Sequence, residues 1–145
     1  MPEKDRKRAD VAFHELPIGV DLGSIEYDLS ERLVDRHLKA THQTAYPSAA
    51  GEQYAPVSIL ASDGIRLAEE RFDIGESVHA GQRLEIVNLP IVGTKVTVAG
   101  RVEDKFEKGG RLFVVMELTS TDDRGRLLAR GRMTGVARYR PEGSE

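Results

Sequence analysis

YAPVSILASDGIRLAEERF, residues 54–72 of this 145-residue chain, has the pattern of one long amphipathic helix. At about 100° per residue, its apolar side chains share one side of that helix: Val57, Leu60, Ala61, Gly64, Ile65, Ala68 and Phe72. The opposite side carries Ser58, Ser62, Arg66, Glu69 and Glu70. Because Ala61, Gly64 and Ala68 are small, the helix can press closely onto a backbone, and Pro56 suits its first turn. We therefore expect a curved sheet to pack around it.

The second half of the chain has the pattern of β-strands. Four segments are rich in β-branched or apolar residues, and turn residues lie at their ends. These segments are residues 83–89, 95–106, 111–121 and 127–139. The turns KGG at 108–110 and DDRG at 122–125 predict hairpins, so the last three strands form an antiparallel meander.

Alternation in the final strand indicates how the sheet meets the helix. One face carries small and apolar residues: Leu127, Ala129, Gly131, Met133, Gly135, Ala137 and Tyr139. Gly131 and Gly135 leave room for a helix to lie against this face. The pattern predicts an α+β hotdog fold, in which a curved antiparallel β-sheet wraps around a long central helix.

The segment before the central helix predicts one strand and one helix. A short strand is expected near residues 25–29, and Ser30 followed by Glu31 is a favourable start for a helix. The residues that keep helical spacing after it are Leu33, Val34, His37, Leu38 and Thr41. Because His37 lies on this apolar face, we interpret it as a packed core histidine rather than a ligand.

Composition limits the class of protein. A net charge of −3 argues against nucleic-acid binding, and the absence of cysteine excludes disulfides, thiol nucleophiles and thiolate metal sites. Nucleotide-binding glycine motifs are absent. The four histidines, His14, His37, His42 and His79, lack metal-ligand spacing. We therefore expect no metal and no cofactor. No apolar run approaches the ~18 residues of a membrane span, and no signal-peptide core is present, so we expect no membrane contact and a cytoplasmic protein. We expect one domain at 11–140, a mobile arm at 1–10 and a disordered tail at 141–145.

Two sets of polar residues are candidates for a site. His42 and Tyr46, in the loop before the central helix, can both move protons, and surface loops commonly carry function. The alternative is an exposed histidine beside a tyrosine packed on the surface. Arg130, Arg132 and Arg138 share the other face of the last strand, where they either meet phosphates of an anionic ligand or form a solvated strand face.

Several stretches together carry a family resemblance: APVSILASDGIRLAEERF, VHAGQRLEIVNLPIVGTKVTVAGRVEDK and GGRLFVVMELTSTDDRGRLLARGR. The most telling piece is LPIVG at 89–93, a proline–hydrophobic–glycine corner before a V-x-V strand, and the lead-in LPIGVDLGSIEYDLSERLVDRHLKAT also matches. In these stretches the chain resembles the MaoC-like hotdog hydratases and dehydratases, including their fatty-acid-synthase-like dehydratase branch. The resemblance covers most of the chain.

The resemblance implies a substrate held as a thioester of CoA or of acyl carrier protein. In active members, an Asp-x-x-x-x-His element after the first helix activates water, and N–H groups at the start of the hotdog helix polarise the thioester carbonyl. The corresponding substrate-binding positions here are Ala55, Val57, Ser58 and Ile59, with His79 added if the fold brings it to the same tunnel. The Asp–His pair is absent: the matching stretch is ATHQTAYP, with His42 near the Asp position and Tyr46 or Pro47 near the His position.

Three functions remain open. The first is an enoyl-thioester hydratase or dehydratase with a non-standard site, in which His42 acts as the base and Tyr46 donates a proton or orients water. The second is a non-catalytic hotdog subunit whose partner carries the missing pair; the apolar Ile59 on the polar side of the helix favours it. The third is a hotdog acyl-CoA thioesterase in which Asp63 activates water, unless Asp63 is a helix-surface carboxylate. The resemblance also implies a homodimer, or a heterodimer with another hotdog chain, with the tunnel between the subunits.

Overall fold

A computed structural model of the chain describes residues 15–45, 50–71 and 77–137. Its elements, in chain order, are β1 (Asp21–Asp28), α1 (Glu31–Thr41), a 3-10 turn (Val57–Ser62), α2 (Asp63–Arg71), β2 (Val78–Ile86), β3 (Lys95–Lys108), β4 (Arg111–Asp122) and β5 (Leu127–Ala137). The strands form one antiparallel sheet in the order β1-β3-β4-β5-β2, which confirms the α+β prediction and the meander of the last three strands. The expected arm and tail lie outside the described residues.

Helix α1 begins where the sequence predicts. Ser30 has extended backbone, and its Oγ accepts a hydrogen bond from the N–H of Leu33 at 3.2 Å, which satisfies one of the unpaired donors of the first turn. The helix ends at His42, which adopts a left-handed conformation with φ 53°. Val34 and Leu38 are buried, so the predicted apolar face packs against the core.

The segment predicted as one α-helix at 54–72 has two parts. Residues Val57–Ser62 form a six-residue 3-10 turn, which runs directly into the nine-residue α2. A 3-10 turn is common at the N-terminus of an α-helix, and the β-branched Val57 and Ile59 have a lower α-helix propensity. We call residues 57–71 the central helix; Phe72 lies outside the described residues.

The prediction that Ile59 lies on a polar side of the central helix is wrong. Its side chain is 2% exposed and belongs to the same hydrophobic cluster as Val34 and Leu38 of α1. Because α1 shares this core, it covers the first turn of the central helix on the side that the helical projection of the sequence made appear polar. Ile59 therefore gives no support to a non-catalytic subunit.

The central helix packs very closely on the sheet at a glycine, as the small residues predicted. A Cβ at Gly64 would lie 2.6 Å from Cδ1 of Leu118 on β4 and 2.9 Å from Sδ of Met133 on β5. The sequence predicts that Gly131 also leaves room for the helix. In the structure, however, a Cβ at Gly131 would face the β2 backbone, 3.4 Å from the carbonyl oxygen of Arg83. Close approach of helix and sheet therefore depends on Gly64 rather than on Gly131.

The LPIVG corner, residues 89–93, holds the chain that leads into the central helix. The N–H of Ala55 donates to the carbonyl of Pro90 at 2.8 Å, and the N–H of Val92 donates to the carbonyl of Gln53 at 2.8 Å. Pro90 is buried. Two backbone hydrogen bonds thus fix the residues immediately before the first turn of the helix.

The same corner also holds the end of β1. The N–H of Gly93 donates to the carbonyl of Leu29 at 2.8 Å, and the N–H of Leu29 donates to the carbonyl of Thr94 at 2.9 Å. Gly93 has a backbone φ of 92°, a conformation that residues other than glycine rarely adopt. Because Leu29 precedes the Ser30 cap, the corner positions the start of α1 together with that of the central helix.

The arginines of β5 that the structure describes lie on the solvent side. Arg130 faces Glu85 at 3.9 Å, and Arg132 pairs with Glu103 at 2.6 Å. The interpretation as a solvated strand face is therefore confirmed for these two, and Arg138 lies outside the described residues. No helix within residues 15–45, 50–71 and 77–137 is long and apolar enough to cross a membrane.

Candidate functional site

The first turn of the central helix presents backbone donors. The N–H of Ala55 is taken by the carbonyl of Pro90, and the N–H of Ile59 donates to the carbonyl of Pro56 at 3.1 Å. The N–H groups of Val57 and Ser58 belong to the first two residues of the helix and therefore have no acceptor within it. Of the four substrate-binding positions expected from the sequence, the geometry favours Val57 and Ser58 as donors to a ligand.

A histidine from α1 reaches this turn. Nε2 of His37 lies 2.8 Å from Oγ of Ser58, and both side chains are half-buried. The sequence pattern predicted only a packed core position for His37. The available signal was a polar residue on an otherwise apolar helix face; what it faces is fixed by packing between residues 21 positions apart.

The other candidates from the sequence are placed as follows. His42 is exposed at the end of α1, where its N–H caps the helix by donating to the carbonyls of Leu38 and Lys39. Tyr46 lies outside the described residues. His79 is exposed on β2, opposite Gly135 of β5.

Asp63, the first residue of α2, is a buried acid. Its side chain is 2% exposed, so it is not a helix-surface carboxylate. The hydroxyl of Tyr27 on β1 donates to its Oδ1 at 2.7 Å, and the hydroxyl of Ser120 on β4 donates to its Oδ2 at 2.7 Å. The acid therefore ties the central helix to two strands of the sheet.

Burial and neighbouring groups shift the pKa values of Asp63 and Tyr27. Burial raises the pKa of Asp63 to about 6, and the hydrogen bonds from Ser120 and Tyr27 and the charge of Arg66 oppose the rise only in part. Burial and the neighbouring carboxylate raise the pKa of Tyr27. The Arg66 guanidinium lies 4.7 Å from the centre of the Tyr27 ring, a cation–π distance. Because both carboxylate oxygens accept from protein hydroxyls, the geometry favours a structural role for Asp63 over activation of water.

Within residues 15–45, 50–71 and 77–137, no three His, Asp or Glu side chains converge as metal ligands. The candidate site is the first turn of the central helix, where the N–H groups of Val57 and Ser58 lie at the start of the helix and His37 contacts Ser58. Its chemical groups are two backbone donors, one hydroxyl and one imidazole.

Comparison of the fold with solved structures identifies its architecture. A MaoC-like dehydratase from Rhodospirillum rubrum matches with a TM-score of 0.71 at 17% identity, over 90% of this chain and 99% of that chain. The R-hydratase PhaJ1 from Pseudomonas aeruginosa matches with a TM-score of 0.69 at 15% identity, over 90% of this chain and 92% of that chain. The chain has the hotdog fold. A HadBC (3R-hydroxyacyl-ACP dehydratase) complex from Mycobacterium tuberculosis matches this hotdog domain with a TM-score of 0.70 at 15% identity, over 83% of this chain and 96% of that chain.

The prediction of an α+β hotdog fold is thus confirmed, although the predicted single long helix has two parts. No protein-family model matches the chain, and no curated protein matches it significantly in sequence. At 15–17% identity, the similarity to hydratases and dehydratases establishes the hotdog fold alone. The function has to be argued from the site.

Proposed function

We propose that this hotdog domain binds an acyl thioester and catalyses the reversible addition of water to a 2-enoyl thioester. The observation that carries the proposal is the first turn of the central helix, where the N–H groups of Val57 and Ser58 have no acceptor within the helix and the imidazole of His37 contacts the Ser58 side chain. The similarity in fold to hydratases and dehydratases supports the same reaction type.

The reaction needs both kinds of group. Removal of a proton from the α-carbon of a thioester, or addition of water at the β-carbon, passes through a species with negative charge on the thioester oxygen. Fixed N–H donors stabilise that charge because they need no reorganisation as it develops. The LPIVG corner fixes the residues before Val57, so these two donors are held in place before a ligand binds. The substrate carrier in the proposal is CoA or acyl carrier protein.

We expect the purified chain to hydrate a short or a medium trans-2-enoyl-CoA, so that the enoyl absorbance falls while no free thiol is released. Enoyl absorbance and free thiol are followed in the same reaction. Release of thiol would instead support a thioesterase, and an unchanged signal in both channels at micromolar enzyme would contradict a hydratase that acts as a single chain.

A non-catalytic subunit is the second candidate, because the Asp-x-x-x-x-His element of active relatives is absent at residues 40–47. Strand β2 lies at an edge of the sheet, pairs with β5 on one side, and is exposed along nearly all of its length. Val78 is 63% and Ile86 is 37% exposed. An exposed edge strand, here with apolar side chains at both ends, is a site for pairing with another chain, and the HadBC dehydratase is a complex. We propose that β2 joins this domain to a second hotdog chain.

We expect Val78→Lys to convert a dimer of this chain to a monomer, because a charged side chain on an edge strand opposes pairing. The molar mass is measured by light scattering at micromolar protein. Ile18→Lys is the matched control, since Ile18 is 59% exposed but lies outside β2. A monomeric wild-type chain would favour a heterodimer, tested by adding a hotdog chain that carries the Asp–His element and measuring hydration. Equal dimer masses for wild type and Val78→Lys would contradict pairing through β2.

A further inference from the structure

We infer that His37 is the proton-transfer residue of this site and that Ser58 positions it. The inference rests on the proposed hydration reaction and assigns its acid–base step to the chain itself. The observation behind it is the 2.8 Å contact between Nε2 of His37 and Oγ of Ser58 at the start of the central helix.

The geometry directs one ring nitrogen of His37 at the site. When the ring carries its proton on Nδ1, Nε2 is an acceptor and the Ser58 hydroxyl donates to it. Ser58 also lies in the first turn of the helix, where its own N–H and that of Val57 have no acceptor within the helix. A thioester whose carbonyl accepts from Val57 and Ser58 would therefore place its α-carbon near the ring, and the substrate proton would replace the Ser58 hydroxyl at Nε2.

One residue can then carry both proton movements of a syn elimination. In the dehydration direction, Nε2 takes the proton from the α-carbon of a 3-hydroxyacyl thioester, and the electron pair of that C–H bond forms the C=C bond. The C–O bond at the β-carbon breaks, and the leaving hydroxyl takes the proton from the imidazolium and departs as water. Hydration is the reverse sequence. The atoms and electrons balance without a metal, an oxidant or a second residue.

The placement of the other histidines in the described residues distinguishes them from His37. His42 is exposed and its backbone caps α1, whereas His79 is exposed on β2. His37 is half-buried and joined to the first turn of the central helix. A partly enclosed imidazole that faces fixed donors has the arrangement that acid–base catalysis needs.

The test is hydration of trans-2-enoyl-CoA by wild type, His37→Ala, Ser58→Ala and Lys39→Ala. We expect His37→Ala to lower kcat by about 10²–10⁴-fold with a small change in KM, as for loss of a general acid–base. Added imidazole is expected to restore part of kcat in His37→Ala. Lys39→Ala, an exposed change on the same helix, is the control that retains wild-type activity. Ser58→Ala is expected to lower kcat less, because it removes the orientation of the ring and keeps the base.

Thermal unfolding separates this role from a structural one. If His37 only joined α1 to the central helix, His37→Ala would lower Tm, and imidazole would restore no activity. If His37→Ala does not fold, His37→Gln keeps a hydrogen-bonding group toward Ser58 and cannot act as a base, so its kcat provides the same test. An active wild type with an equally active His37 variant would overturn the inference and leave the proposed function in place. An inactive wild type would overturn both.

Discussion

Gly100→Ala is expected to lower the free energy of unfolding by about 3 kcal/mol, at the upper end of the usual cost of overpacking a core. A Cβ at this position would lie 2.8 Å from the carbonyl oxygen of Glu117 and 2.8 Å from Cδ2 of Leu118. It would also lie 3.0 Å from Cδ2 of Leu67 on the central helix. Side-chain ends can move, but the Glu117 carbonyl belongs to β4 next to the Gly100–Leu118 pair, so the added methyl group must push two paired strands apart.

Chemical denaturation of Gly100→Ala and Gly81→Ala measures this effect. Gly81 is also in a strand, and a Cβ there would meet nothing within 4 Å. Both substitutions reduce the conformational freedom of the unfolded chain by the same amount, so the difference between them isolates the contact. Gly81→Ala is expected to be neutral or slightly stabilising. Equal stabilities for the two variants would contradict the close packing of β3 against β4 and the central helix.

Asp63→Asn is expected to remove a pH-dependent loss of stability. The folded pKa of Asp63, about 6, is above its ordinary value of 3.8, so the native state binds more protons than the unfolded state between these two pH values. Stability therefore falls as the pH rises from 3.8 to 6, and the loss persists above pH 6. The shift corresponds to about 3 kcal/mol. Asparagine keeps an acceptor and a donor for the hydroxyls of Tyr27 and Ser120 without a charge.

The measurement is the free energy of unfolding of wild type and Asp63→Asn between about pH 4 and pH 8. The variant is expected to gain on wild type by up to about 3 kcal/mol across this range, and the other titrating groups cancel in the difference. A difference that does not change with pH would show that the carboxyl titrates at its ordinary pKa.

Asp122→Asn is a control of opposite sign. Burial raises the pKa of Asp122, but hydrogen bonds from Arg126 and Arg124 outweigh burial and lower it overall. Stability from such a group is present above its unfolded pKa and is lost as the pH falls through its folded pKa. Asp122→Asn is therefore expected to destabilise the protein at neutral pH by about 2 kcal/mol, since it loses charge-assisted bonds, including one of 2.8 Å from Nε of Arg126.

Local patterns predicted the elements well because their causes are local. The Ser30 cap depends on residues 30–33, and the hairpins at 108–110 and 122–125 depend on a few turn residues. The small residues of the central helix correctly indicated close packing at Gly64. The first strand begins earlier than expected, at Asp21, with a register shift against β3 near Gly23. Sequence alternation is weakest where such a bulge interrupts the strand.

The polar contacts could not be predicted because they join distant residues. Asp63 meets Tyr27 across 36 positions and Ser120 across 57, and a helical projection gives no information about either strand. His37 is close to Ser58 only because α1 packs against the first turn of the central helix. Projection identified which residues share a side of one helix, but it could not identify which neighbour covers each side. For the same reason, the sequence left open whether Asp63 activates water or is a helix-surface carboxylate, and it did not indicate that Asp63 is buried.

The hydrogen bonds at residues 89–93 have an evolutionary consequence. They hold the residues before the central helix through backbone atoms, which are insensitive to most substitutions, and their partners are Leu29, Gln53 and Ala55. Under the proposed function, carbonyl binding and proton transfer are therefore separable. A lineage with this site can lose its acid–base residues and still inherit the backbone donors, on which a new proton carrier or a partner subunit can act.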